Sequence, residues 1–289
     1  MHTSHDHKLN KSRNGGLPHL AAVLLMALAT AVQGQSPSSQ NPAPANDASS
    51  FPDAPAAQPT NPALAAPDDK NAVTLRGTPV NILKDEAAIW TSPARIREHD
   101  LAYLIPLGLA TTVAITADHQ VMSSARLDNT SLNNQANTAS NGLLGGFIAA
   151  PVIIYGLGHI HHDNHATETG ILAGEAMVHS LIVVEVVKAA TMRERPTLDG
   201  AKGKFFQSSA GLDSSFPSAH SIIAFSSATV IASEYPGIMT KLTAYGLATG
   251  VSMARVLARQ HFPSDVIVGS AVGWLLGRYV FHKHHHDDN

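Results

Sequence analysis

Six apolar stretches follow one another in the C-terminal two thirds of the chain. They are rich in Ala, Leu, Val and Ile, and polar residues or Gly and Pro bound each of them, which is typical of helices. They cover about residues 100–117, 142–158, 167–190, 219–234, 239–258 and 264–281. No alternation of apolar and polar positions competes with the helical interpretation. The pattern therefore predicts an all-α fold, a six-helix bundle.

Two polar segments interrupt this pattern. Residues 81–98 are expected to form a surface segment, with Trp90 as an interfacial anchor. Residues 121–140 are rich in Ser, Asn and Thr, and we expect a loop there.

The N-terminal residues 1–34 have the pattern of a signal peptide. Lys8, Lys11 and Arg13 make a positive start, and the apolar run 20–31 is followed by small residues where cleavage can occur. The run is short for a membrane span of about 20 residues, which favours cleavage over an uncleaved anchor. Either alternative exports the rest of the chain.

Residues 35–75 are rich in Pro, Ala and Ser and carry almost no large apolar side chains. Such a stretch cannot bury enough surface to offset its ordering entropy, so we expect a disordered linker. The remaining residues, 76–289, then form the single folded domain.

The overall composition excludes several functions. A formal net charge of −3 gives no basic footprint for nucleic acid, and the absence of cysteine excludes disulfides, thiolate nucleophiles and Cys-ligated zinc. Residues 142–158 would pass as a membrane span, whereas charged groups interrupt 167–190. A bundle outside the membrane avoids a conflict in topology, and a membrane-embedded bundle remains the alternative. We expect an exported protein of the cell envelope, periplasmic or in the inner membrane with its site facing the periplasm.

Three short clusters at helix ends carry candidate chemistry. In the first, Lys188 and Arg195 are seven residues apart, so a helix that continued to Pro196 would place both cations on one face. Two cations at a helix end suit a phosphate. A solvated basic helix end that complements the macrodipole is the alternative.

The second cluster is Pro217-Ser218-Ala219-His220, just before an apolar run. Ser218 can cap the helix, whose free N–H groups would bind an anion, and His220 could exchange a proton with that anion. An ordinary capped helix start is the alternative.

The third cluster runs from Arg255 to Asp265 and contains His261. Asp265 is expected in the first turn of the last helix, where it would accept a hydrogen bond from one ring nitrogen of His261 and leave the other nitrogen nucleophilic. A structural His–Asp cap is the alternative. Phosphoryl transfer needs cations, an in-line nucleophile and an acid, and the three clusters together supply one of each.

The motifs Lys-x6-Arg-Pro, Pro-Ser-x-His and Arg-x5-His-x3-Asp, in this order, resemble the signature of the type 2 phosphatidic acid phosphatase (PAP2) superfamily. That superfamily includes lipid phosphatases, bacterial acid phosphatases and vanadium haloperoxidases. The resemblance covers about residues 76–285 and implies a phosphatase of phosphomonoesters or diphosphates, with lipid phosphates favoured and soluble phosphomonoesters second.

The resemblance also implies a role for each site residue. His261 would attack phosphorus to form a phosphohistidine, Asp265 would orient it, and His220 would protonate the leaving oxygen. The phosphate would be bound by five residues: Lys188, Arg195, Ser218, Ala219 and Arg255. No metal or other cofactor is implied, although vanadate could replace phosphate.

Two positions depart from the family pattern: Ala219 stands where the family usually has Gly, and Ala254 where it usually has Ser. They put the rate and the substrate fit in question. The alternatives to a phosphatase are a vanadate-dependent haloperoxidase and a non-catalytic anion-binding membrane protein.

Other polar side chains have simpler interpretations. Histidines cluster at 159–165 and at 282–286, and we expect a solvated loop and a solvated tail rather than metal sites. Glu175, His179 and Glu185 lie on an apolar helix, where buried hydrogen bonding is favoured over a role in a substrate channel.

Overall fold

Seven α-helices and three short 3-10 turns, with no strand, make up the part of the chain that the computed structural model describes, residues 73–124, 127–207 and 213–285. The helices are α1 (Thr78–Thr91), α2 (Leu101–Met122), α3 (Thr130–His161), α4 (Asn164–Thr191), α5 (Ala219–Glu234), α6 (Ile238–Leu257) and α7 (Pro263–His284). The predicted all-α class is confirmed. The predicted signal peptide and nearly all of the predicted linker lie outside the described residues.

The segment predicted to lie on the surface is helix α1, which raises the number of helices in the described residues from the predicted six to seven. Trp90 is 44% exposed, as a surface position should be, but Asp85 is completely buried. The side chain of Asp85 contacts Lys283 and His284 at the end of α7. A carboxylate on α1 therefore joins this helix to the bundle, and hydrophobic periodicity does not reveal such a contact.

The predicted loop at 121–140 is wrong for most of its length, because helix α3 begins at Thr130. Asn129 caps this helix by accepting a hydrogen bond from the backbone N–H of Leu132 at 3.1 Å. Ala136 and Ser140, four residues apart on one face, are both buried. One face of this first half of α3 is therefore buried in the bundle despite its polar sequence.

Helix α5 lies at the centre of the bundle, and α7 packs against it through small residues. Gly269, Gly273 and Gly277 follow one another at every fourth position of α7, on one face of the helix. A Cβ atom added at Gly273 would come within 2.4 Å of the carbonyl oxygen of Ile222 on α5. The two backbones therefore approach closely, and this contact places the N-terminus of α5 next to the N-terminus of α7.

Three helices, α2, α3 and α4, are long and apolar enough to cross a membrane. Helix α2 is the least covered, because only 11% of its most apolar window is buried. Tyr103, Leu109 and Val113 on this helix are each at least 63% exposed. Such an apolar surface is compatible with a location at or in a membrane.

Candidate active site

The residues of the three sequence clusters meet where the C-terminal end of α4 and the N-terminal ends of α5 and α7 approach one another. The backbone N–H of Ser218 donates to the carbonyl oxygen of Asp265 at 3.1 Å, which joins the starts of α5 and α7. The guanidinium of Arg195 donates to the carbonyl oxygen of Gln260 at 3.1 Å, which joins the first cluster to the third. These contacts bring together side chains that are up to 77 positions apart in the chain, from Lys188 to Asp265.

His261 is almost completely buried, with 2% of its surface exposed. Its Nδ1 lies 2.7 Å from the carbonyl oxygen of Ser215, which can only accept a hydrogen bond. The proton therefore sits on Nδ1, and Nε2 keeps its lone pair. Burial lowers the pKa of His261, with Arg255 and Arg195 adding to the effect and Asp265 opposing it, so the neutral, nucleophilic form is favoured.

The structure differs from the expected hydrogen bond between Asp265 and His261. The nearest oxygen of Asp265 lies 3.7 Å from Nδ1, too far for a hydrogen bond. Both carboxylate oxygens have other partners: one accepts from the backbone N–H of Phe262 at 2.8 Å and the other from Arg193 at 2.6 Å. Asp265 therefore fixes the turn that carries His261, and the carbonyl of Ser215 orients the ring.

Arg193, which the three sequence motifs do not assign to the site, is a buried arginine behind it, with 1% of its surface exposed. It donates to Asp265 at 2.6 Å and to Asp118 of α2 at 2.7 Å. Its guanidinium also lies over the rings of Phe205 and Phe262, 4.6 and 4.2 Å from their centroids. Arg193 thus connects the turn of His261 to helix α2 and compensates two buried carboxylates.

His220 is half-buried in the first turn of α5, and its Nε2 lies 2.9 Å from the side-chain oxygen of Asn141 on α3. That oxygen also faces a donor of Arg255 at 3.4 Å, so it is an acceptor and Nε2 of His220 carries the proton. Burial, followed by the charges of Arg255, His261, Lys188 and Arg195, lowers the pKa of His220 to about 3. Burial and these charges therefore favour the neutral form of His220.

Among the described residues, no carboxylate contacts Arg255, whereas Lys188 and Arg195 each lie near one. One terminal nitrogen of Arg255 donates to Asn137 at 2.7 Å and to Ser140 at 3.2 Å, both on α3, and both partners are neutral. Its Nε is buried and has no hydrogen-bond partner. Burial and then the charge of Arg195 lower the pKa of Arg255 to about 10, so it stays a cation at neutral pH. A buried guanidinium with an unused donor indicates a site for an anion.

Lys188 and Arg195 reach the site in a different way from the predicted one. Helix α4 ends at Thr191, and Met192 takes a left-handed conformation (φ 41°), so the two cations do not share one helical face. Lys188 is buried with its ammonium 3.7 Å from Glu185, and Arg195 donates to the largely exposed Asp213 at 2.7 Å. Both charges nevertheless contribute to lowering the pKa of His220.

Ser218 is the N-cap of α5 and is completely buried, and its hydroxyl accepts from the N–H of Ser221 at 3.4 Å. Ala219, the first residue of α5, is half-buried. Ala254 is buried against Ala136 and Ala258. Ala254, which stands where the family usually has Ser, therefore lies in the contact between helices α6 and α3.

Comparison with known proteins gives one match. The model of the PAP2 superfamily matches residues 169–288, which contain all eight candidate site residues but less than half of the chain. No curated protein and no solved structure matches the chain. The match confirms the recognised superfamily for this part of the chain and indicates a phosphatase-type hydrolase at that level. Nothing in it favours the haloperoxidase alternative.

Proposed function

We propose that this chain, which matches the PAP2 superfamily over residues 169–288, is a phosphatase that hydrolyses phosphate esters through a phosphohistidine on His261. The observation that carries the proposal is Arg255, a buried cation with an unpartnered Nε next to two neutral histidines. Arg255, Arg195 and Lys188 would bind the nonbridging phosphate oxygens. The N–H groups at the start of α5, next to Ser218 and Ala219, would add donors.

The reaction we propose has two steps. In the first, Nε2 of His261 attacks phosphorus, the bond from phosphorus to the ester oxygen breaks, and a protonated His220 gives its proton to the leaving oxygen. In the second, neutral His220 takes a proton from water while that water attacks phosphorus, the bond from phosphorus to Nε2 of His261 breaks, and phosphate leaves. Asp265 acts through the turn that holds His261. The chain itself supplies every group that these two steps use.

Lipid phosphates are the substrate class that we favour, in phosphomonoester or diphosphate form. The support is the exposed apolar surface of α2, which would hold the protein at a membrane where such substrates are concentrated. The location outside the cytoplasm rests on the sequence of residues 1–34 alone. Phosphatidate and a polyprenyl diphosphate represent the two head groups.

The test measures phosphate release by the purified full-length chain in detergent micelles, with excess chelator present. The substrates are phosphatidate, a polyprenyl diphosphate and the soluble ester p-nitrophenyl phosphate. We expect turnover that His261→Gln abolishes, and a base-stable, acid-labile phosphoenzyme when the wild type is quenched during turnover. His282→Gln, a change at an exposed histidine of α7, should turn over normally.

Two results would contradict this proposal. Undiminished turnover by His261→Gln would exclude the nucleophile. Tight binding of phosphate without turnover of any of the three esters would instead indicate a non-catalytic anion-binding protein. A preference for p-nitrophenyl phosphate over both lipids would leave the mechanism in place and exclude the substrate class.

A further inference from the structure

A second cluster of ionisable side chains lies at the other end of the bundle. It consists of Asp85 on α1, Glu175 and His179 on α4, and His284, the last residue of α7. Nineteen residues separate Asp265 from His284 along α7, which at about 1.5 Å per residue puts the cluster about 28 Å from the start of that helix. It is therefore separate from the phosphate site, and the C-terminal histidine at 284 is not part of a solvated tail.

Two members of this cluster are buried without the hydrogen bonds that they need. Glu175 is 1% exposed, and neither of its carboxylate oxygens has a hydrogen-bond partner. His179 is completely buried, and its Nε2 has no partner either. A buried carboxylate is unfavourable unless a cation or several donors compensate it. Among the described residues, the nearest cationic group to Glu175 is His284, whose Nε2 lies 3.9 Å away, so the buried carboxylate has no hydrogen bond and only a distant ion pair.

The orientation of His179 indicates what kind of partner is missing. Its Nδ1 lies 2.7 Å from a carboxylate oxygen of Glu86, which can only accept, so Nδ1 carries the proton. Nε2 then presents its lone pair toward Asp85, whose nearer oxygen is 3.7 Å away. A buried nitrogen lone pair that faces a carboxylate is unfavourable, and a cation bound beside Asp85 would compensate both groups.

The spacing of the donor atoms also fits a metal ion. One donor atom from each of Asp85, Glu175 and His284 lies within 4.8 Å of the other two. The distance from Glu175 to Nε2 of His284 is 3.9 Å, and that from Asp85 to the same nitrogen is 2.6 Å. Two ligands of one tetrahedral zinc ion lie about 3.3 Å apart, and both of these distances are within an ångström of that separation.

We propose that Asp85, Glu175 and His284 bind one Zn²⁺ ion, which holds helices α1, α4 and α7 together. One imidazole nitrogen and two carboxylates are a donor set that zinc accepts, with a fourth position left open, and the two carboxylates neutralise its charge. Lys283 contacts one oxygen of Asp85, which leaves the oxygen that now faces His284 for the metal. Binding displaces the proton between Asp85 and His284, so affinity falls as the pH is lowered.

A neighbouring cluster, Glu168, Glu234 and His285, shows the contrast. One oxygen of Glu234 accepts from His165 at 2.9 Å and the other lies 3.2 Å from Nδ1 of His285. The buried carboxylate of Glu234 already has partners on both oxygens, so nothing there requires an ion.

The experiment uses the full-length chain, stripped of metal with a chelator and titrated with Zn²⁺ by calorimetry. Because the chain has 17 histidines, weak additional binding is expected, and variants identify the site. We expect one tight equivalent in the wild type and in the control His282→Ala, which lies in the same last turn of α7 but is exposed. Glu175→Gln, close in shape but uncharged, and His284→Ala should each lose that equivalent.

Thermal unfolding gives a second readout that does not involve phosphatase activity. At a free Zn²⁺ concentration about 100-fold above Kd, the melting temperature of the wild type should rise by about 5 °C or more, and that of Glu175→Gln should not change. Should both variants fail to fold, X-ray absorption of the Co²⁺-substituted wild type must show one imidazole and two carboxylate ligands. An equal number of tight sites in the wild type and Glu175→Gln, or no tight site in the wild type, overturns the proposal.

Discussion

The protonation of His220 provides the sharpest test of the active-site geometry. In the ligand-free protein, burial and the surrounding cations lower the pKa of this histidine to about 3, so it is neutral at the pH of any ordinary assay. A general acid must nevertheless carry a proton when the ester bond breaks. We therefore expect His220 to become protonated when phosphate binds. An anion bound among Arg255, Arg195 and Lys188 raises the pKa of His220, so binding is coupled to proton uptake.

The size of the effect follows from Coulomb's law. The charge of a bound dianion is spread over several oxygens, so we count one unit of it about 4 Å from the ring and leave out the more distant remainder. At an effective dielectric constant of about 20 this interaction is about 4 kcal/mol, or about three pKa units. The pKa of His220 then moves from about 3 to about 6. At pH 5.5 the protein should take up about three quarters of a proton for each anion bound, since the free form is almost fully neutral there.

The measurement is calorimetry of sulfate binding at pH 5.5 in buffers with different enthalpies of ionisation. Sulfate is suitable because it keeps two negative charges at this pH and so does not itself exchange protons. The dependence of the observed heat on the buffer gives the number of protons taken up. His220→Gln should still bind sulfate through the three cations but with no proton uptake, whereas His261→Gln should keep most of it.

Two results would refute the reasoning. Sulfate binding by the wild type without proton uptake would mean that the anion lies too far from His220 to raise its pKa. Equal uptake by the wild type and His220→Gln would assign the proton to another group. Either result would remove His220 as the general acid of the proposed reaction.

Three further predictions test the parts of the structure that support the site. Gly273→Ala should lower the free energy of unfolding by about 3 kcal/mol, because the new methyl meets the backbone of α5, whereas Gly246→Ala in an open part of α6 should raise it by about 1 kcal/mol; denaturant unfolding measures both. Arg193→Lys should cost about 3 kcal/mol in the same assay and lower kcat more than it changes KM, because one ammonium cannot bridge two buried carboxylates. Asn137→Ala removes the shortest hydrogen bond of the Arg255 guanidinium and should raise KM about fivefold, while Gln135→Ala on the exposed side of α3 should leave KM unchanged; steady-state kinetics measures both.

The helical class and most helix positions could be predicted from the sequence because apolar runs in this chain are long and clearly bounded. The stretch predicted at 219–234 coincides with α5, Ala219–Glu234, and the one at 264–281 lies within α7. The site clusters could be predicted for a similar reason, since each sits at a helix end where Pro and polar residues mark the boundary. The contacts within the site could not be predicted in the same way: seven positions suggested one helical face for Lys188 and Arg195, yet α4 ends between them.

The polar half of α3 shows why the remaining part of the site was missed. A helix is recognised in sequence by an apolar face, but the face of α3 that contacts α6 carries Asn137, Ser140 and Asn141, which contact the guanidinium of Arg255. Their spacing of three and four residues is the helical period, so the signal was present in polar rather than apolar side chains. A helix that packs against a buried cation must be polar on that face, because a buried guanidinium needs acceptors. These acceptors are also neutral, so the positive charge of Arg255 remains for a ligand. With carboxylates at the same positions the chain would fold as well, but their negative charge would neutralise Arg255 and abolish the anion site.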